Sequence, residues 1–308
     1  MKNFIRKLLV GLLILNVYTF ANASCYQPNI EAGKALMVFS LTNQKDLVGD
    51  FLQNFCFNSQ EFKNYKVTPP YFWAQDVGML KLYQNGNFDI LNDKNKDGRD
   101  FLSSLLLRNK NFPNINQSEI NIFNSSINFY KIKNHSISNK PMNVEKFNQL
   151  LAYVANLYAS NNIQHTDLFG NNDLDYAIIT ERPNIVKILL SNNQNIYLFQ
   201  KNQNDLPAIY FLFAPKYPFD KEKEKEHLKE LNEIALKNLN PLFISQLNYG
   251  NLTFFDIAHL LKDNNIEFYN ALKKQYHFKL TPINEQTKQM IYQRLMSNLD
   301  YQEKLKKH

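Results

Sequence analysis

Residues 166–197 read TDLFGNNDLDYAIITERPNIVKILLSNNQNIY, and the way this stretch is parsed decides the fold expected of the whole chain. It opens on a turn around Gly170, after which a short helix starts at Asp173 with Leu174, Ala177 and Ile178 on one face. Arg182-Pro183 breaks that helix, because proline has no amide to give to a helix interior. A second helix then carries Ile185, Val186, Leu189 and Leu190 as an apolar stripe. Two short amphipathic helices joined in this way cannot bury their apolar faces alone, so neighbouring units are required.

Similar arrangements occur on both sides. The residue that opens the first helix of each unit can be placed at Ala35, Pro69, Phe101, Pro141, Asp173, Pro207 and Phe254, at intervals of 34, 32, 40, 32, 34 and 47. Thr68, Asp100, Asn172 and Thr253 stand where a side chain would cap a helix start. Pro69, Pro141, Pro207 and Pro282 stand where a first-turn proline loses no hydrogen bond. In the first unit Leu36, Phe39, Leu47, Phe51 and Leu52 supply the apolar face.

A turn, a helix starting after a capping residue, a break and a second helix ending in Leu-Leu, at a period near ~33 residues, resembles the ankyrin repeat. The match departs from that family at the histidine of the Thr-Pro-Leu-His slot, where Ser103, Asp175, Ile209 and Asp256 stand instead. The unit from Pro141 to Asn162 shows no clear break between helices. The resemblance implies an all-α, ankyrin-like helical-hairpin solenoid with short β-hairpin connections. Its parts would be an N-terminal capping helical pair over 24–66, a repeat array over 67–280 and a C-terminal capping helix over 281–308. It further implies a monomeric, non-enzymatic scaffold that binds another protein through its hairpin tips, which here include Lys94, Lys96, Arg99, His165, Asp167, Phe169, Lys201 and Asn202.

The N-terminus reads differently. Lys2, Arg6 and Lys7 precede an apolar run from Leu8 to Phe20 and then Ala21-Asn22-Ala23, the pattern of a secretory signal peptide over 1–23. The run is short for a membrane-spanning helix of ~20 residues, so no membrane insertion is expected after cleavage. Export to the periplasm, or secretion towards a host protein, follows as the expected location. Cys25 could be acylated beside such a cleavage site, but Asn22, Ala23 and Ser24 make a poor lipoprotein signal. A disulfide to Cys56 is the reading taken, since an exporting compartment is oxidising.

Composition narrows the functional classes. Hydrophobic residues at 44% and charged residues at 20% describe a folding chain, neither a disordered tail nor a membrane bundle. With the leader removed, the formal charge of +7 falls by the three cations of that leader, and the rest are interleaved with acids. No basic stripe for a nucleic-acid backbone results. Eight glycines leave no glycine-rich phosphate loop, and the six histidines are too dispersed for a zinc motif. Neither a cofactor nor a catalytic set is expected. One alternative chemistry stands out: Asp93, Asn95, Asp97 and Gly98 have the spacing that begins an EF-hand loop, which would make this a calcium-dependent protein using residues 93–104. The twelfth position is Ser104 rather than a bidentate glutamate. Most of the abundant aromatic side chains should be core, with the rings of Phe169, Tyr197 and Phe199 as possible partner contacts in hairpins.

Overall fold

Capping side chains set where the helices begin. Asn29, Asp76, Asp100, Asn143 and Asn265 each accept a hydrogen bond from the backbone N–H three residues on. Asn172 and Thr253 do the same within reciprocal capping boxes with Asp175 and Asp256. The turn after Thr68 departs from this pattern: Pro70–Trp73 is a 3₁₀ helix whose N-cap, Pro69, offers no side-chain acceptor. The prolines that do sit in first turns are Pro70, Pro183 and Pro241.

The computed structural model describes residues 25–64, 67–86, 88–108, 115–129, 142–191, 197–218 and 220–299. The expected leader at 1–23 and the frame residue Pro141 lie outside them. In chain order the helices are α1 (Ile30–Leu41), α2 (Lys45–Asn54), α3 (Ser59–Asn64), α4 (Val77–Gln84), α5 (Phe101–Leu106), α6 (Gln117–Phe129), α7 (Val144–Ser160), α8 (Asp173–Ile179), α9 (Pro183–Leu190), α10 (Glu224–Asn238), α11 (Pro241–Ile244), α12 (Phe254–Leu260), α13 (Ile266–Gln275) and α14 (Glu285–Leu299). A 3₁₀ helix at Ala208–Phe213 joins them. The extended structure is a two-stranded antiparallel pair, β1 (Asn248–Tyr249) with β2 (Leu252–Thr253), in which Asn248 faces Thr253. Among the described residues no helix is long and apolar enough to cross a membrane.

The regular ankyrin-like solenoid does not form. Equal units would need helices of matched length, and here they run from 4 to 17 residues. Ala35 lies inside α1 rather than at its start. Pro69 and Pro207 open 3₁₀ turns rather than α-helices. Over 144–160 the chain forms one unbroken helix where a repeat would have two. Packing also skips along the chain: α1 packs on the distant α6, α4 on α7 and α5 on α8. A bundle of unequal helices results, with one contiguous core reaching from Ala32 to Leu299.

Aromatic side chains fill the irregular spaces that such packing leaves. Tyr71, Tyr83, Tyr158, Tyr176, Tyr210, Phe39, Phe101, Phe123 and Phe147 are fully buried. Many meet edge to face, as Phe39 does with Phe51 at 5.0 Å and with Phe123 at 5.8 Å between ring centres, the arrangement that ring quadrupoles favour. Phe199 is buried and stacked on Phe243 at 5.3 Å, so it is not a partner contact. The acidic and basic run at 220–227 opens a solvated helix, α10, which buries Leu231 and Ala235.

Cys25 and Cys56 are joined in a disulfide. Alongside it, Tyr26 donates its N–H to the Asn54 carbonyl at 2.8 Å and accepts from the Cys56 N–H at 3.0 Å, so the start of the described chain is laced to the end of α2. The two cysteines are 31 residues apart, and closing a loop of that size restrains the unfolded chain by ~3–4 kcal/mol. Replacing both cysteines by serine is expected to lower the free energy of unfolding in urea by about that amount while leaving the far-ultraviolet circular dichroism of the folded protein unchanged.

Candidate functional site

The loops at 93–100, 165–172, 201–207 and 248–253 lie side by side, and their side chains are largely spent on holding one another. Lys94 donates to the Thr166 carbonyl at 3.1 Å, and the Leu168 N–H reaches the Asp97 carbonyl at 3.4 Å. Asn202 donates to Asn171 at 2.8 Å, and Lys201 donates to the Asn248 carbonyl at 2.9 Å. His165 meets the Leu91 carbonyl through Nε2 at 2.9 Å. Asp167 is buried and accepts from the backbone N–H groups of Phe169 and Asn171 and from the Tyr176 hydroxyl. Lys94, Lys96 and Lys201 are exposed and Phe169 is half-buried. Of the eight residues singled out at hairpin tips, Lys96 and Arg99 reach a common cleft.

The same loops overturn the calcium reading. Asp93 has no exposed surface; it accepts from Ser59 Oγ at 2.5 Å, from the Tyr71 hydroxyl at 3.1 Å and from Lys63 Nζ at 2.9 Å. Asn95 Oδ1 accepts from the N–H groups of Asp97 and Arg99 at 2.9 and 3.0 Å. Asp97 is paired with Arg99 at 3.0 Å. The oxygens that an EF-hand would converge on an ion are turned to loop and core partners, and no cluster of three or more potential protein ligands for a metal occurs among the described residues.

Behind the loops, Asp100 and Asp173 form a buried carboxyl pair. Asp100 caps α5 through the Ser103 N–H at 2.8 Å, and Ser103 Oγ donates to Asp173 at 2.6 Å. Burial pushes both carboxyls above their ordinary value, Asp173 well above it, with the charge of Asp100 and a hydrogen bond between the two adding to the effect on Asp173. One proton held between two carboxyls is also a pattern of acid–base catalysis. Here the adjoining void measures only about 20 Å³, too small for a substrate, so the pair is a structural clasp between α5 and α8.

A cleft large enough for a ligand lies between the 70–73 turn and the 93–108 segment. It measures about 410 Å³, within the size range of small-molecule sites. Phe72, Trp73 and Leu107 supply its apolar lining, and Lys96, Arg99 and Arg108 place three cations against the one carboxylate of Asp97. Both arginines are largely sequestered, with 8% and 9% of their surface exposed. Arg99 is fixed by Asp97 and by its approach of 4.0 Å to Asp167, and its guanidinium lies 6.0 Å from the centre of the Tyr176 ring. Arg108 donates to the Ala74 carbonyl at 2.5 Å and lies 5.9 Å from the centre of the Phe147 ring. Burial pushes Arg108 down to about 9, which marks a poorly hydrated guanidinium. Neither Trp73 nor Arg108 carries a local sequence signal. A lone tryptophan after two prolines reads as core, and an arginine after FLSSLLL reads as a partner for a helix C-terminus.

No protein-family model matches the chain, and no curated protein shows significant similarity to it. The ankyrin assignment thus has no support from relatives, just as it has none from the arrangement of helices. The scaffold role in the periplasm or against a host protein, which rested on those repeats, falls with it.

The carboxyl pair gives a pH signature. Folding raises both pKa values above the ordinary 3.8, so the folded state holds the proton more tightly than the unfolded chain. The resulting stability is fully present below 3.8 and is lost as the pH rises towards the folded values. Asp173→Asn, which keeps a donor facing Asp100, is expected to flatten this decline in urea titrations run across that pH range. Asp100→Ala removes the helix cap as well and should cost ~1–2 kcal/mol.

Proposed function

We propose that the protein is a non-enzymatic binding protein for a small anionic ligand with a planar apolar part, such as an aromatic carboxylate or an aromatic phosphate ester. The observation that carries this reading is the pairing of two sequestered arginines, Arg99 and Arg108, with the aromatic side chains of Phe72 and Trp73 around one cleft. A guanidinium presents donors in a planar fork suited to carboxylate or phosphate oxygens. Its poor hydration at Arg108 lowers the cost of stripping water on binding, and the aromatic lining suits a planar apolar group. Asp97 and Asp167 hold Arg99 in place before any ligand arrives, which reduces the entropy lost on binding. The Cys25–Cys56 disulfide supports an oxidising compartment as its place of action.

The chain contains a single tryptophan, so intrinsic tryptophan emission reports on this cleft alone. Titration with phenyl phosphate and with phenylacetate, neither of which emits where tryptophan does, is expected to give a saturable change in Trp73 emission. Arg108→Gln should weaken that binding by ~10–100-fold, the worth of a charge-assisted hydrogen bond. An unsaturated, linear response with both probes, or equal affinity in the variant, would overturn the assignment.

A further inference from the structure

Three turns of the loop ladder share one design, and the third departs from it at a single position. Asn95, Asp167 and Asn202 each accept, through Oδ1, from the backbone N–H groups two and four residues on. In each turn the N–H of the fourth residue bonds back to the carbonyl of the first, at 3.0, 3.0 and 3.1 Å. That fourth residue has a left-handed backbone every time: Gly98 with φ 72°, Gly170 with φ 77° and Asp205 with φ 59°. At the first two turns the next loop packs where a side chain would stand, for a Cβ on Gly98 would lie 3.2 Å from the Leu168 nitrogen and one on Gly170 2.7 Å from the Gln203 nitrogen. Asp205 bears backbone strain that glycine would relieve, and such strain concentrates at functional positions. The space that a following loop would fill is instead a cavity of about 570 Å³, bounded by the 201–207 loop, the β1–β2 hairpin and α14, with Asp205 in its wall.

We propose that this cavity is a binding site for a neutral disaccharide, held by Asp205, Arg294 and the amide side chains of Gln203, Asn204 and Asn251. Elsewhere in the ladder the polar side chains are spent on the loops themselves, as Asn202 is on Asn171 and Lys201 on Asn248. The side chains of Gln203, Asn204, Asp205 and Asn251 take no hydrogen bond among the described residues. Gln203, Asp205, Asn251 and Arg294 are exposed, so a ligand in the cavity can reach them. An amide offers a donor and an acceptor side by side, and a sugar hydroxyl is both at once, so each amide can satisfy a pair of neighbouring hydroxyls. Asp205 and Arg294 are the charged side chains of the lining and balance one another, which suits a ligand without net charge. The Arg294 guanidinium is placed by the Tyr249 ring, whose centre lies 5.9 Å away. Leu252, Ile283 and Ile291 give the aliphatic surface that the C–H face of a sugar ring can cover. At roughly 30 Å³ per water the volume equals about nineteen waters, room for two linked rings.

Isothermal titration of the full folded chain with maltose, cellobiose, lactose and diacetylchitobiose is the test, with glucose as the single-ring control and triglycine as a peptide that could pair with the same amides. At least one disaccharide is expected to bind at a single site, and glucose to bind at least about tenfold more weakly. Asp205→Gly restores the residue found at the equivalent place in the first two turns and should fold at least as stably, yet it is expected to weaken binding by about tenfold or more. Asn251→Ala removes a side chain that the fold does not use and should weaken it by about fivefold. Absence of saturable heat with all four disaccharides up to about 10 mM, binding of triglycine alone, or wild-type affinity in both variants would overturn the proposal. Trp73 emission should stay constant throughout, since this cavity shares no lining residue with the cleft around Trp73.

Discussion

Arg99 can sit beneath a ligand cleft with 8% of its surface exposed only because Asp97 and Asp167 bring carboxylates to its guanidinium. An unpaired charge at that depth would cost several kcal/mol. Asp167 is itself held by two backbone N–H groups of its own turn and by the Tyr176 hydroxyl. A contact between residues 68 positions apart thus ties the loop before α5 to the loop before α8, and the cleft inherits its shape from that tie.

The same logic recurs along the molecule. Asp93 joins Ser59 and Lys63 of α3 to Tyr71 of the 3₁₀ turn, and Asn265 joins Asn232 of α10 to the Leu212 carbonyl. Asp256 receives both the N–H and the hydroxyl of Thr281 ahead of α14. Each is a polar side chain placed where helices of different length leave backbone or side-chain donors without a partner in their own element. Aromatic rings do the corresponding work for apolar space, since their area and two-sided packing tolerate helices that do not repeat.

Two cavities with different chemistry are products of this irregularity. Around Trp73, cations outnumber carboxylates and the walls are aromatic. Around Asp205, an acid from the 201–207 loop and a base from α14 stand among neutral amides, beside an aliphatic wall. In a stack of identical units each such feature would recur along the array. Here each is lined by residues from elements of different length and type, which no repeat relates.

Local features were legible in the sequence because they depend on neighbours within a few residues. The caps at Asp100, Asn172 and Thr253, the break at Arg182-Pro183 and the apolar stripe of α9 all follow from short-range chemistry, while the pairing of Cys25 with Cys56 was legible because the chain has two cysteines. The order of packing was not legible. Spacings of 32 and 34 residues suggested equal units, yet whether Pro70–Trp73 becomes a 3₁₀ turn, or 144–160 a single helix, depends on what lies across the core. The same holds for both sites. Trp73 and Arg108 are 35 residues apart and Asp205 stands 89 residues before Arg294, with no period to relate them. Only the tertiary structure brings such residues together, because the free energy that does so comes from burying a shared core and leaves no mark in any local pattern.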